Sequence, residues 1–304
     1  MKILITGAGG LAGSHLVRYI RENRLGEVVP LERHDCDLMD RHAVEAILDK
    51  TRPDIIFHLA AQSSIPVSWK DPAGTMNNNV LPGLHIFEAV RKLSLKSRIL
   101  VAGSSEEYGL VPPSALPIVE DQPLRPVNPY ATSKMALDFL GYQHFRGFDL
   151  SIVRARSFNH IGPSVKKTDV ANDWVRLLVR IERGLIPPVL PVGNLETGRD
   201  FLDVRDVVRA YWLIATEGIA GEVYNIASGK VVFLKELLHQ LLEFIPVKIT
   251  VAFDPAKQRP GDSSTFMGDS SKLRRLTGWE PKIPLTQSLK EVLDFWRKVE
   301  VEKA

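Results

Sequence analysis

The sequence holds a single cysteine, Cys36, in 304 residues. An intramolecular disulfide framework is therefore excluded, and a reducing compartment suits the chain. Apolar runs are short. The stretch after Met1-Lys2 gives way to glycines too soon for a secretory leader or a membrane span, so a cytoplasmic location and no membrane partner are expected. Charge of either sign is scarcely in surplus: 39 Lys and Arg against 36 Asp and Glu leave a net +3. That excludes a strongly basic nucleic-acid surface but suits an anionic small ligand. There is no internal repeat and no low-complexity tract, and no metal site is expected.

What is present reads as an ordinary globular protein, 44% hydrophobic and 25% charged. The length allows one large domain or two lobes sharing an interface. In the first half, short apolar strands alternate with amphipathic helices. Strands are predicted at Lys2–Thr6, Glu27–Leu31, Asp54–Leu59, Ile99–Gly103 and Leu150–Arg154. Helices are predicted at Leu11–Asn23, Asp40–Lys50, Thr75–Leu93 and Pro129–Arg146. This alternation predicts an α/β fold, a Rossmann-type doubly wound parallel sheet covered on both faces. The second half is richer in Pro and Gly, with helices predicted near Asp173–Arg183, Val204–Glu217, Leu234–Phe244 and Leu285–Val299. It reads as a smaller C-terminal substrate lobe. Residues 1–160 would form the dinucleotide-binding domain, and 161–304 mainly the substrate lobe, with some segments returning to the sheet. Six prolines between Pro112 and Pro129 predict a loop lying over the site.

Gly7-Ala-Gly-Gly-Leu-Ala-Gly13 follows the first strand directly and opens a helix. Glycines there let the backbone turn tightly and approach a pyrophosphate, and the helix start presents free amides to the anion. After the second strand, Glu32 would accept from a ribose 2′-hydroxyl and favour NAD(H). Arg33 would pair with a 2′-phosphate and favour NADP(H). The two adjacent residues point opposite ways. Asp37-Leu38 either covers the adenine or precedes a helix cap.

Tyr130 and Lys134 are four apart behind Pro129, which suits a helix's first turn, so both lie on one helix face. A lysine ammonium beside a phenol is expected to lower the phenol's pKa and let it exchange a proton with a sugar oxygen. Ser104 ends the fourth strand and can hold the same oxygen. Asn79, inside a predicted helix, is either a relay group or a structural asparagine.

These residues together resemble the extended short-chain dehydrogenase/reductase superfamily, along essentially the whole chain. Ala60-Ala-Gln-Ser-Ser, Gly103-Ser-Ser-Glu-Glu-Tyr-Gly109, Arg156-Ser-Phe-Asn-His-Ile-Gly-Pro163, Gly193-Asn-Leu-Glu196 and Arg199-Asp-Phe-Leu-Asp-Val-Arg-Asp206 are similar to the branch that handles GDP-mannose derivatives. Within it they look most like the GDP-4-dehydro-6-deoxy-D-mannose reductases, which form GDP-D-rhamnose. The resemblance implies catalytic roles for Ser104, Tyr130, Lys134 and Glu106. It puts Gly7, Gly10, Leu11, Gly13, Leu59, Ala60, Ala61 and Asn79 with the cofactor. It puts Ser104, Ser105, Glu106, Asn159, Arg199 and Arg259 with a GDP-sugar substrate. Guanidinium forks suit phosphate oxygens, although each arginine could instead form a surface ion pair. Asp262 either accepts from ribose hydroxyls or caps the next segment, and Trp174 either touches the substrate or lies in the core. Two departures alter packing: Leu81-Pro82-Gly83-Leu84 replaces the family's glycine-threonine, and Trp174-Val175 replaces Phe-Ala.

Glu106 sits where GDP-mannose 4,6-dehydratases place a base, and the reductases carry it too, so it does not decide between them. The Arg199–Asp206 stretch and the chain length favour the reductase. An epimerase fits less well, because Glu106 would crowd a sugar that must flip. A non-catalytic nucleotide-binding protein is argued against by the intact Ser104, Tyr130 and Lys134. The third and fourth predicted helices form a homodimer interface or pack on the sheet.

Overall fold

The structure is a computed structural model that describes residues 1–164, 170–257 and 265–301. Its first half runs β1 (Lys2–Thr6), α1 (Leu11–Glu22), β2 (Glu27–Leu31), α2 (Arg41–Thr51), β3 (Ile55–His58), α3 (Ile65–Lys70), α4 (Pro72–Lys92), β4 (Arg98–Ser104), α5 (Pro129–Phe148) and β5 (Ile152–Ser157). Then follow β6 (Asn159–Ile161), α6 (Val170–Glu182), β7 (Val189–Val192), β8 (Gly198–Arg199), β9 (Phe201–Asp203), α7 (Val204–Glu217), β10 (Val223–Ile226), β11 (Val232–Phe233), α8 (Leu234–Glu243), β12 (Thr250–Phe253), α9 (Ser271–Thr277) and α10 (Leu285–Val301).

Six parallel strands form the central sheet in the order β10-β5-β4-β3-β1-β2. Alternate residues of each strand serve opposite faces. Ile3, Ile5, Phe57, Leu100 and Val153 pack under α1 and α7. Leu4, Ile56, Ile99, Val101 and Ile152 pack under α2, α4 and α5. Burial on both faces explains why these strands read as continuous apolar runs. The order reverses where β1 lies between β2 and β3, so the ends of β1 and β3 diverge and leave a crevice.

The second half builds another core from α6, α8 and α10, with Trp174, Leu178, Leu237, Leu293 and Trp296 buried in it. The short pairs β7–β12, β6–β9 and β8–β11 flank that core. Helix α7 and strand β10 return to the central sheet.

Several predicted bounds shift. The strand expected at Leu150–Arg154 lies at Ile152–Ser157, because six of its residues register with Ile99–Ser104 and its two arginines are paired inside the protein. Helix α4 begins at Pro72, earlier than the predicted Thr75, because the Asp71 side chain accepts the Gly74 amide at 2.9 Å and caps it. Helix α6 is described from Val170 to Glu182, where Asp173–Arg183 was expected. Among the described residues, no helix is long and apolar enough to cross a membrane.

Candidate active site

A cavity of about 1410 Å³ opens along the C-terminal ends of the sheet strands and continues between the two halves. Its walls are made by the glycine loop, the ends of β2, β3 and β4, the start of α5, and parts of the second half.

At one end lies the glycine loop. Gly7 has φ +69°, and a Cβ there would sit 2.9 Å from the Ala60 backbone. A Cβ on Gly13 would overlap the Gly7 carbonyl oxygen, so α1 reaches the strand end only because residue 13 has no side chain. Gly10 caps α1 without a side-chain hydrogen bond, which leaves the first amides of the helix open to an anion. This cradle fits a dinucleotide pyrophosphate. Leu11, Leu59, Ala60, Ala61, Asp37 and Leu38 line the same end. Asp37 also accepts the Met39 amide at 3.1 Å, while Asp40 makes the cap of α2. Glu32 and Arg33 both line the cavity. The Glu32 carboxylate folds across the loop, 2.5 Å from where a Gly9 Cβ would be.

In the middle, Ser104 ends β4 and Tyr130 and Lys134 occupy the first turns of α5. Asn128 caps α5 by accepting the Ala131 amide at 2.8 Å, and Pro129 follows at the first helical position. The Ser104 Oγ accepts the Glu106 amide at 3.2 Å, which leaves its own proton free to donate. Lys134 is buried and its Nζ donates to the Ala102 carbonyl at 2.6 Å.

The expected lowering of the Tyr130 phenol is not found. Burial pushes its pKa up; the Ser104 hydroxyl pulls it down, and the Glu106 and Glu107 carboxylates raise it further. The Lys134 ammonium is directed to the Ala102 carbonyl, and burial draws it down to about 8 against the pull of Glu107.

Asn79 does not line the cavity. Its amide donates to the Gln62 carbonyl at 3.0 Å and to Ser133 Oγ at 2.8 Å, and its oxygen accepts the Gln62 amide at 2.7 Å. It joins the segment after β3 to the helix of Tyr130, so it supports the site from behind. The proline-rich segment also departs from expectation. Its middle packs on β10 and the 266–269 segment, through Ile118 with Met267 and Glu120 with Asn225. Only its end, Val127 and Asn128, reaches the cavity.

At the far end, Ser105, Glu106, Asn159 and Arg199 line the wall. The Arg199 guanidinium lies 5.1 Å over the Phe266 ring and donates to the Gly198 carbonyl at 3.0 Å. Trp174 touches the cavity but is only 3% exposed, so it is chiefly a core residue. Arg259 and Asp262 lie outside the described residues.

Sequence reasoning missed three features. One is Asn128, signalled only by an asparagine before Pro-Tyr. Another is the pair of Asp173 and Lys257, 3.3 Å apart on the wall. The third is a buried charge cluster beneath the site, where Arg156 Nε meets Glu107 at 3.2 Å and Asp138 at 3.1 Å. Two arginines spaced by two in an otherwise apolar strand were its signal, since that spacing puts both on one sheet face.

Known proteins share this fold. The GDP-mannose 4,6 dehydratase family model matches residues 23–292. A GDP-6-deoxy-D-mannose reductase of Pseudomonas aeruginosa is 34% identical over 295 residues, covering 97% of each chain. GDP-mannose 4,6 dehydratase 1 of Arabidopsis thaliana is 28% identical, covering 96% of this chain and 88% of its own. The solved structure of RMD from Pseudomonas aeruginosa complexed with NADPH superposes with a TM-score of 0.89 at 33% identity, covering 98% of this chain and 99% of that one. The chain belongs to the GDP-mannose 4,6 dehydratase family of extended short-chain dehydrogenases/reductases.

Proposed function

We propose that this protein reduces the 4-keto group of GDP-4-dehydro-6-deoxy-D-mannose to GDP-D-rhamnose, using NADPH or NADH. The observation that carries the reading is the placement of Tyr130 and Ser104 in one cavity with the glycine cradle and with Asn159 and Arg199. Reduction makes an alkoxide that needs a proton, and the Tyr130 hydroxyl is a group in the cavity that can give one. A bound reduced nicotinamide would supply the hydride. Ser104, oriented by the Glu106 amide, donates to the same developing oxygen and lowers its charge. Lys134, one turn beyond Tyr130 on α5, would add a positive charge to the same end of the helix.

The reading assigns the glycine cradle, Glu32, Arg33, Asp37 and Leu38 to the cofactor. It assigns Ser104, Ser105 and Glu106 to the sugar, Asn159 to the diphosphate and Arg199 to the phosphates or ribose. Asp173 and Lys257 would read the guanine: the carboxylate accepts from the ring and exocyclic N–H groups, and the ammonium donates to the keto oxygen. The same reading has residues 1–160 chiefly hold the cofactor and 161–304 the sugar nucleotide, and it places the enzyme in the cytoplasm as a homodimer. Exposed Phe139, Tyr142 and Phe148 on α5 support the dimer, because a protomer alone would leave them in water.

The test is the absorbance of reduced nicotinamide with the keto sugar nucleotide supplied. Oxidation of the added cofactor supports the reductase. A second reading, the dehydratase, is favoured by Glu106 on the cavity wall. It predicts loss of water from GDP-mannose with no net cofactor consumption.

A further inference from the structure

Lys134 and Glu107 grip the same three residues of β4. Lys134 Nζ donates to the Ala102 carbonyl at 2.6 Å, and Glu107 Oε1 accepts the Ser104 amide at 2.7 Å. Gly103 lies between them. A Cβ there would come within 2.6 Å of Glu107 Oε1, so the carboxylate reaches the strand only because residue 103 has no side chain. The second Glu107 oxygen takes Arg156 Nε at 3.2 Å, which also donates to Asp138 at 3.1 Å. Asp138 stands one turn beyond Lys134 on α5 and pairs with Arg154 as well. One buried cluster therefore joins β4, β5 and α5, and two of those elements carry Ser104, Tyr130 and Lys134.

Glu107 is 0% exposed. A charged residue so placed is costly, and a branched apolar side chain of similar volume often serves a core as well or better. Packing alone does not account for it. Its carboxylate accepts the Ser104 amide on one oxygen and Arg156 Nε on the other. Burial and the Asp138 charge push it up to about 8, while Arg156, the Ser104 amide and Lys134 pull it down. In its ionised form it opposes the effect of burial on Lys134. Of the other titratable groups, His58 from β3 interacts with the lysine charge, Tyr130 and Asp138 lie one turn to either side of it on α5, and Arg156 from β5 meets Glu107. His58 is held neutral, drawn down to about 3 by burial and by the lysine charge.

We propose that Glu107 is a positioning residue of the active site: its buried carboxylate sets the direction of Ser104 and serves as the counter-charge of Lys134. The proposal rests on the reductase reading for the chemistry that Ser104 and Lys134 assist.

The test begins with the titration of Lys134 in the whole protein, followed by NMR of 13Cε-labelled lysines and assigned with Lys134→Met. It needs no substrate. In Glu107→Gln the amide can still accept the Ser104 N–H, but the charge is gone. The lysine midpoint is expected to fall by about one pH unit or more, because an opposite charge at close range stabilises an ammonium by that order. In turnover, the alkaline limb of kcat should move down with it, while KM stays within about threefold. An unchanged midpoint, or a pH profile superimposable on that of the wild type, overturns the proposal. Should Glu107→Gln not fold, Glu107→Asp keeps the charge and shortens the reach. It is expected to leave the midpoint in place and lower kcat by about tenfold or more through a misdirected Ser104. A wild-type kcat in Glu107→Asp overturns the positioning of Ser104. If the wild type does not reduce the keto sugar at all, the reductase reading fails, and the lysine shift still decides the role of Glu107.

Discussion

Asn128 and Glu106 are hydrogen-bonded: the Asn128 amide nitrogen donates to Glu106 Oε2 at 3.1 Å while its oxygen caps α5. The turn after β4 is thereby fastened to the helix that carries Tyr130. Glu106 thus has a structural partner, besides facing the cavity where a dehydratase would need a base.

That dual position separates the two readings. Glu106→Gln keeps the acceptor for Asn128 and removes the base. A reductase should retain kcat for keto reduction within about fivefold, whereas water elimination from GDP-mannose should fall by about 10²-fold or more. Parallel assays of the two reactions, cofactor absorbance for one and product analysis for the other, decide it.

Tyr130→Phe removes only the acidic hydroxyl. Cofactor affinity should stay near that of the wild type, measured by the fluorescence of reduced nicotinamide. The kcat should drop by about 10²- to 10⁴-fold, the range for loss of a general acid. A near-normal rate would take Tyr130 out of the reaction.

Gly7→Ala tests the cradle. Alanine at φ +69° with its Cβ 2.9 Å from Ala60 is strained and crowded. The expected cost is about 1–3 kcal/mol of stability, read as a lower Tm, with cofactor Kd raised by about tenfold or more. An unaltered Kd would mean that the loop holds no pyrophosphate.

Asp173→Ala tests the nucleobase end. Loss of a charged acceptor for the guanine N–H groups should raise KM for the GDP-sugar by about ten- to a hundredfold, with kcat nearly unchanged. Competition by free GDP over UDP should weaken in parallel. Equal competition by the two nucleotides in the wild type would show that this pair does not read the base.

Much of the molecule was legible from local pattern. The glycine spacing after β1 announced a strand–turn–helix cradle because only glycine fits there. Apolar runs separated by amphipathic helices announced a parallel sheet. Pro129-Tyr130 with Lys134 one turn on announced a helix start with two side chains on one face. These are short-range consequences of sterics and of periods 2 and 3.6. The ends of β5 and α4 were less legible, because pairing with β4 and a cap from Asp71 set them.

The sequence by itself determined the fold class and the glycine turn, and it singled out Ser104, Tyr130 and Lys134 as candidates, since each is written within a few neighbouring residues. Only the tertiary structure decided the electrostatics. It turned Lys134 onto Ala102, buried the Tyr130 phenol so that its pKa is pushed up, and withdrew Asn79 from the cavity. It also assembled Glu107, Asp138, Arg154 and Arg156 beneath the site from three separate elements. A pKa or an ion pair depends on burial and on distances between residues far apart in the chain, and no local spacing encodes those.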